Sequence, residues 1–153
     1  VSASEQLKRL GLTLPPAPVP VGSYVPYVRV GNLVFTSGQL PTRDGKLVAL
    51  GNVGQDVSLE EATEAARVAV MNALAQVAAA ARGIDRIRRI VRLGVFVSSA
   101  AGFTDQPKVA NGASDLLVSI FGDAGKHARS AVGVNVLPLN AAVEIEMVAE
   151  VEE

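Results

Sequence analysis

Val28-Arg29-Val30-Gly31-Asn32-Leu33-Val34-Phe35-Thr36 sets two short β-rich runs on either side of Gly-Asn. A two-residue loop of this kind accepts positive φ, so the stretch predicts a tight β-hairpin. Ser37-Gly38-Gln39-Leu40-Pro41 ends its second strand, and a loop rich in Gly and Asp is expected from there to about residue 57. Ser58-Leu59-Glu60-Glu61 has the form of a capping box, in which the Ser58 hydroxyl and the Glu61 carboxylate satisfy each other's backbone N–H. One helix is predicted from Leu59 to Ala81. Its small-residue stripe is Ala62, Ala66, Ala69, Ala73 and Val77, with Val70 and Leu74 beside it, and Gly83 is placed to end it. Side chains this small let a helix lie close on a sheet.

Ile87 to Val97 alternates Val91, Leu93, Val95 and Val97 against Arg88, Ile90, Arg92, Gly94 and Phe96, which predicts a strand. A second helix is expected over 105–121, with Val109, Leu116, Leu117, Ile120 and Phe121 inward and Gly122 closing it. The C-terminal segment reads as another hairpin: Ala128–Leu137, a turn at Pro138–Ala141, then Ala142–Val151. In that reading Val132, Val134, Val136, Val143, Ile145, Met147 and Ala149 share an apolar face. Arg129, Ala131, Gly133, Asn135, Glu144 and Glu146 share the other. The order is β-β-α-β-α-β-β, an α+β fold with one mixed sheet and two helices packed on one face. Ahead of it, residues 1–12 suit a short helix with Leu7 and Leu10 on one side and Gly11 at its end. Leu14 to Pro20 suits an extended, proline-rich arm. Residues 1–20 are thus an N-terminal extension and residues 21–153 a single domain, with no internal repeat.

Composition narrows the function classes. Of 153 residues 49% are apolar, mostly Ala and Val in periodic segments, and no apolar run is long enough to span a bilayer. Surplus apolar surface in a chain of this size points to an oligomer. A net charge of −1 with four Phe, two Tyr and no Trp argues against a nucleic-acid partner, which wants basic excess and stacking platforms. Arg86, Arg88, Arg89 and Arg92 read as a solvated strand face. The absence of cysteine excludes disulfides and thiolate catalysis, and one histidine, His127, cannot build a His-rich metal site. In its Gly-Lys-His loop His127 is expected to be exposed rather than catalytic. Asn72, inside the long helix, is expected to be structural. With no charged-then-apolar leader, a cytoplasmic protein is expected.

The sheet face opposite the helices is the informative one. Ala131, Gly133 and Gly94 are small, Phe96 is large and apolar, and none suits a solvated surface, so that face is expected to meet other subunits. Charges kept there need partners or a task. Were the C-terminal hairpin regular, Glu144 would pair with Asn135 and Arg129 would lie six residues further, about 20 Å away. The two are then expected to meet only across a subunit interface.

Gly22-Ser23-Tyr24-Val25, Gly31-Asn32 through Thr36-Ser37-Gly38-Gln39, Asn72, Val95-Phe96-Val97, Asn111, Ala128-Arg129-Ser130 and Val143-Glu144-Ile145-Glu146 resemble, in order and spacing, the RidA/YjgF family. That family has also been called the L-PSP endoribonuclease or translation-inhibitor family. The resemblance runs from about residue 21 to the C-terminus. It implies a chorismate-mutase-like fold and a homotrimer with clefts between subunits. It implies hydrolysis of 2-imino acids to 2-keto acids and ammonia, without metal or organic cofactor. Arg129 falls on the carboxylate-binding arginine and Glu144 on the glutamate that positions or activates water. Tyr24, Ser37 and Asn111 fall on positions lining the same cleft.

The residue types suit that chemistry. A guanidinium holds a carboxylate through two parallel hydrogen bonds, which lysine cannot do. An imine carbon is already electrophilic, so a held substrate and a delivered water suffice. Two features depart from the pattern: Ala131 stands where the family often has Cys, and the arm and the Leu50–Asp56 loop are longer, pointing to a divergent branch. Open alternatives are a non-catalytic binder of small carboxylates and, against the charge balance, a ribonuclease or translation inhibitor. For single residues the alternatives are an ion pair for Arg129, a solvated carboxylate for Glu144, with Glu146 taking its role, and simple packing for Tyr24. Ser37 and Asn111 have the alternative of satisfying backbone.

Overall fold

The Gly31-Asn32 hairpin forms as read. Strands β1 (Tyr27–Val30) and β2 (Leu33–Thr36) pair antiparallel with Val30 opposite Leu33, and Gly31 sits at φ 59°. The computed structural model describes residues 1–19 and 22–153; the expected boundary of arm and domain, at Pro20 and Val21, lies outside the described residues. The 37–57 segment holds more than a loop. Thr42–Arg43 (β3) and Lys46–Leu47 (β4) form a small hairpin whose turn, Asp44-Gly45, has both residues at positive φ.

Helix α2 spans Leu59–Ala81. Both capping-box bonds are made: the Glu61 N–H donates to Ser58 Oγ at 3.1 Å and the Ser58 N–H to Glu61 Oε1 at 3.2 Å. Such a cap stabilises the helix by about 1 kcal/mol. Every member of the small-residue stripe is fully buried, as are Val70 and Leu74. The left-handed residue that ends α2 is Arg82 (φ 64°) rather than a glycine; Gly83 follows, its N–H returning to Ala78 O at 2.9 Å. Strand β5 (Ile87–Ser98) and helix α3 (Gln106–Phe121) follow, α3 packing beside α2. A third helix, α1 (Ala3–Arg9), docks Leu7 against α3 and is tied to the body by the Ser4 N–H, which donates to Asp85 Oδ1 at 2.9 Å.

The C-terminal hairpin does not exist. Strands β6 (Ala128–Val134) and β7 (Val143–Val151) lie on opposite sides of β5, in the sheet order β1-β2-β7-β5-β6. β6 runs parallel to β5 and β7 antiparallel to it. The cause is α3: a helix between two strands returns the chain to the start of the first, so β5-α3-β6 closes as a parallel unit and β7 takes the remaining edge. The chain turns at 138–140, where Leu139 and Asn140 adopt positive φ.

This register corrects the assignment of faces. Arg129 stands beside Leu93, Ala131 beside Val95 and Gly133 beside Val97, all on the side of the sheet covered by helices. Val132, Phe96, Glu144 and Glu146 point to the uncovered side. Alternation favours the opposite parity, since it puts bulky Val132, Val134 and Val136 in the core. In the structure Val136 is 64% exposed and Val132 45%. With Val28, Val30, Leu33 and Phe35, also exposed, Val132 gives the open face a broad apolar part beside its carboxylates Glu144 and Glu146.

Candidate functional site

The sequence-predicted residues fall into two clusters. The first lies at the outer strand β6, on the helix side. Arg129 Nη1 donates to Asn111 Oδ1 at 2.8 Å and to Ser114 Oγ at 3.1 Å. Asn111 and Ser114 are three residues apart on α3 and so present one face to the strand. Behind Ser114 stands His127. Its Nδ1 lies 2.6 Å from Gly125 O, an atom that only accepts, so Nδ1 carries a proton. In the neutral ring Nε2 then accepts the Ser114 hydroxyl, 2.9 Å away, and the Ser114 oxygen is left to accept from Arg129. His127 is therefore half-buried and bonded through both nitrogens, not the exposed loop residue that its neighbours Gly125 and Lys126 suggested.

This cluster leaves Arg129 poised. The two protons of Nη1 are both engaged, by neutral acceptors that leave the positive charge uncompensated. Among the described residues no carboxylate pairs with Arg129, and its Nε and Nη2 donate to nothing. Those two nitrogens form the side-on edge that grips a carboxylate through two parallel bonds. Ala131, two residues on, shares the face but packs its methyl against the core.

The second cluster lies on the open side of the sheet, where β7 meets the end of β2. Glu144 is half-buried there, and an added Cβ on Gly38 would come within 2.8 Å of its Cδ and Oε1. The Glu144 carboxyl thus lies against the Gly38 backbone, and a side chain at position 38 would displace it. Burial, and secondarily the like charge on Glu146, holds the Glu144 carboxyl above its ordinary pKa. The Ser37 hydroxyl donates to Val25 O at 2.6 Å, and the Ser37 N–H to Pro26 O at 2.9 Å, fastening the Tyr24–Val25 loop to the strand end. Tyr24 is half exposed beside a hollow of about 120 Å³ that Gly38 and Gln39 also line. Asn72 is elsewhere: its Nδ2 donates to Leu40 O, Thr42 O and Thr42 Oγ1, tying α2 to the β3 region.

Within one chain the two clusters do not meet. Arg129 is level with Leu93 and Glu144 with Phe96, three positions apart along β5 and one strand to either side of it. Strand spacing and rise then separate the two Cα atoms by about 14 Å, with the side chains on opposite faces. The regular-hairpin distance was too long, but the separation it implied stands. The reading missed Ser114 and His127. The signal for Ser114 was available, since it follows Asn111 by one helical turn; His127 is brought in only by the Gly122–Gly125 turn after α3. Among the described residues no three His, Asp or Glu side chains converge, and no helix is long and apolar enough to cross a membrane.

Residues 4–151 match the family described as "YjgF/chorismate_mutase-like, putative endoribonuclease". The chain is 46% identical to protein TCP17 of Trypanosoma cruzi over 94% of its length and 91% of the relative's. It is 31% identical to a 2-iminobutanoate/2-iminopropanoate deaminase of Dermatophagoides farinae, over 92% of this chain and 95% of that one. A crystal structure of Atu1372, a protein of unknown function from Agrobacterium tumefaciens, superposes with a TM-score of 0.91 at 44% identity, covering 99% of this chain and 93% of the other. The chain therefore belongs to the YjgF/RidA family, and its fold is the chorismate-mutase-like α+β fold of that family.

Proposed function

We propose that the protein hydrolyses small 2-imino acids to 2-keto acids and ammonia, in clefts completed between subunits. The observation that carries this reading is Arg129: a guanidinium held by two neutral acceptors and, among the described residues, with its two-nitrogen edge free and no carboxylate paired to it. Such an edge fits the carboxylate shared by 2-imino and 2-keto acids, each charged hydrogen bond contributing roughly 1.5–3 kcal/mol. The apolar open sheet face supports burial against a second copy, and the hollow beside Tyr24 is too small to enclose a ligand unaided, since ligand sites run to about 300 Å³ or more. A homotrimer supplies the second wall, bringing Arg129 of one chain to Glu144 of the next.

In that cleft the substrate carboxylate lies on Arg129. Glu144 takes a proton from water as the oxygen adds to the C=N carbon and passes that proton to the nitrogen, giving a carbinolamine; it then takes the hydroxyl proton and hands it to the leaving nitrogen, which returns the carboxylate to its ionised form. Collapse of the tetrahedral adduct breaks the C–N bond and releases ammonia and the keto acid. A carboxyl whose pKa is raised is a stronger base when ionised, and positioned base assistance accelerates such steps about 100- to 10,000-fold. Tyr24 and Ser37 shape the wall beside Glu144, and Asn111 holds Arg129 in place. The test is ammonia release from enzymatically generated 2-imino acids. Acceleration by the wild type that disappears in Arg129→Ala, with assembly unchanged, supports the reading. Keto-acid binding without any acceleration replaces it with a carboxylate-binding protein.

A further inference from the structure

A second cavity, of about 760 Å³, lies on the outer side of α2; it shares Pro18, Val19 and Thr42 with the hollow beside Tyr24 but is lined by none of Arg129, Asn111, Ser114, His127, Ser37 and Glu144. The proline-rich arm roofs it, α2 floors it, and the β3–β4 hairpin closes one end. The arm does not collapse onto the floor, for reasons visible in its sequence. Pro15, Pro16 and Pro18 hold it extended and remove backbone donors, so it cannot coil down on α2. Both ends of the strap are fastened. One is held by α1 through buried Leu7 and the Ser4–Asp85 bond, the other by Gln76 of α2, which donates to Pro18 O at 2.6 Å and is itself 1% exposed. The space is therefore preformed, and its volume lies within the usual range for small-molecule sites.

Its chemistry specifies the occupant. Val68, Met71, Leu116 and the arm prolines give an apolar interior. Its polar lining is Thr13, Thr42, Asn72 and a group of charged residues, and of these Asn72 is almost wholly buried. Asn72 is 2% exposed, and its amide orientation is set by Nδ2, which donates to Leu40 O, Thr42 O and Thr42 Oγ1. Oδ1 therefore faces away from those partners and, among the described residues, accepts from none. No side-chain nitrogen or oxygen among the described residues is buried without a partner, so Oδ1 is reached by solvent, and Asn72 lines this cavity. The charged groups of the lining are Arg43, Asp44, Glu64 and Arg67, which sum to zero, and Glu64 is paired with both arginines at 3.5 Å. Nothing at the mouth favours either ionic sign.

We infer that this cavity is a binding site for an uncharged, mainly apolar molecule bearing one O–H or N–H donor, of the phenol, alcohol or indole class. Its apolar body lies against Met71 and the prolines, and its donor bonds to Asn72 Oδ1. A thioether is a favourable surface for an aromatic ligand.

The test uses the intact protein and two probes of nearly equal shape, 1-naphthol and 1-methoxynaphthalene, the second lacking the donor. Titration followed by amide chemical shifts is expected to move residues of the arm, the 42–45 turn and 68–72 with 1-naphthol. The methoxy compound is expected to bind at least about fivefold more weakly, the effect of an unmet hydrogen bond. Val68→Trp, which fills the floor, abolishes the response, while Arg129→Ala leaves it intact. Equal affinity for the two probes, or 1-naphthol shifts confined to other residues or absent up to its solubility, overturns the inference. Both measurements are made on wild type, so they hold whether or not the tryptophan variant folds, and the Arg129 cluster has no part in them.

Discussion

Arg129→Lys keeps the positive charge of the candidate site and removes its geometry. In the structure Nη1 is spent on Asn111 Oδ1 and Ser114 Oγ, and the Nε–Nη2 edge stays free for a ligand. A lysine ammonium has one nitrogen for both tasks, so bonding a carboxylate means giving up the anchors or one of the two parallel bonds. Losing one charge-assisted bond costs about 1.5–3 kcal/mol, which is about 10- to 150-fold in Kd. The assay is calorimetric titration with a small 2-keto acid, with sedimentation run alongside to show that assembly is unchanged. A lysine variant that binds the keto acid with wild-type Kd would refute the fork as the source of affinity, and with it the assignment of Arg129 to the substrate carboxylate.

Ser114→Ala removes one acceptor of Arg129 and the link to His127, and is expected to weaken keto-acid binding about fivefold, less than a lost ligand bond because Asn111 still holds Nη1; unchanged titration curves contradict it. Gly38→Ala drives a methyl to 2.8 Å from the Glu144 carboxyl, the mobile end of a side chain. Thermal unfolding is expected to stay close to wild type while turnover falls about 100-fold or more, and full activity counts against Glu144 as the base. Asp85 is held below its ordinary pKa by its bonds to Ser4, so its contribution is present above the unfolded value and is lost as pH falls through the lower folded one. Amide exchange of α1 is expected to quicken over that acid range in wild type and to be fast already near neutrality in Asp85→Ala. Glu144 has the opposite sign: with its pKa raised, its ionised form opposes folding as pH climbs through the interval above the ordinary glutamate value.

Most of the architecture was legible because local signals agreed with tertiary ones. The Gly31-Asn32 turn, the Ser58–Glu61 box and the alanine stripe each specify one geometry, and each appears as read. The strand order was not legible from alternation. Ala128–Val134 has small or apolar residues at both parities, so nothing in it says which side meets the helices; the helix preceding it does, by requiring a parallel neighbour. The Asp44-Gly45 hairpin was hidden by strands of two residues each. Of the candidate site, Arg129, Asn111, Glu144, Tyr24 and Ser37 were named through resemblance, and the structure sorts them into two groups. Ser114 and His127 escaped because their role depends on how the 122–125 turn aims a ring at a helix.

Mixing two inactive variants tests the central claim most directly. Arg129→Ala lacks the carboxylate anchor and Glu144→Gln lacks the base. If each cleft takes Arg129 from one chain and Glu144 from the next, co-refolding equal amounts yields some clefts with both groups intact. Random assembly of a closed ring of like interfaces leaves about a quarter of the clefts complete, and ammonia release is expected to recover to about that fraction of wild type. Mixed assemblies as inactive as either variant alone would place both groups in one chain's site and would contradict the shared cleft.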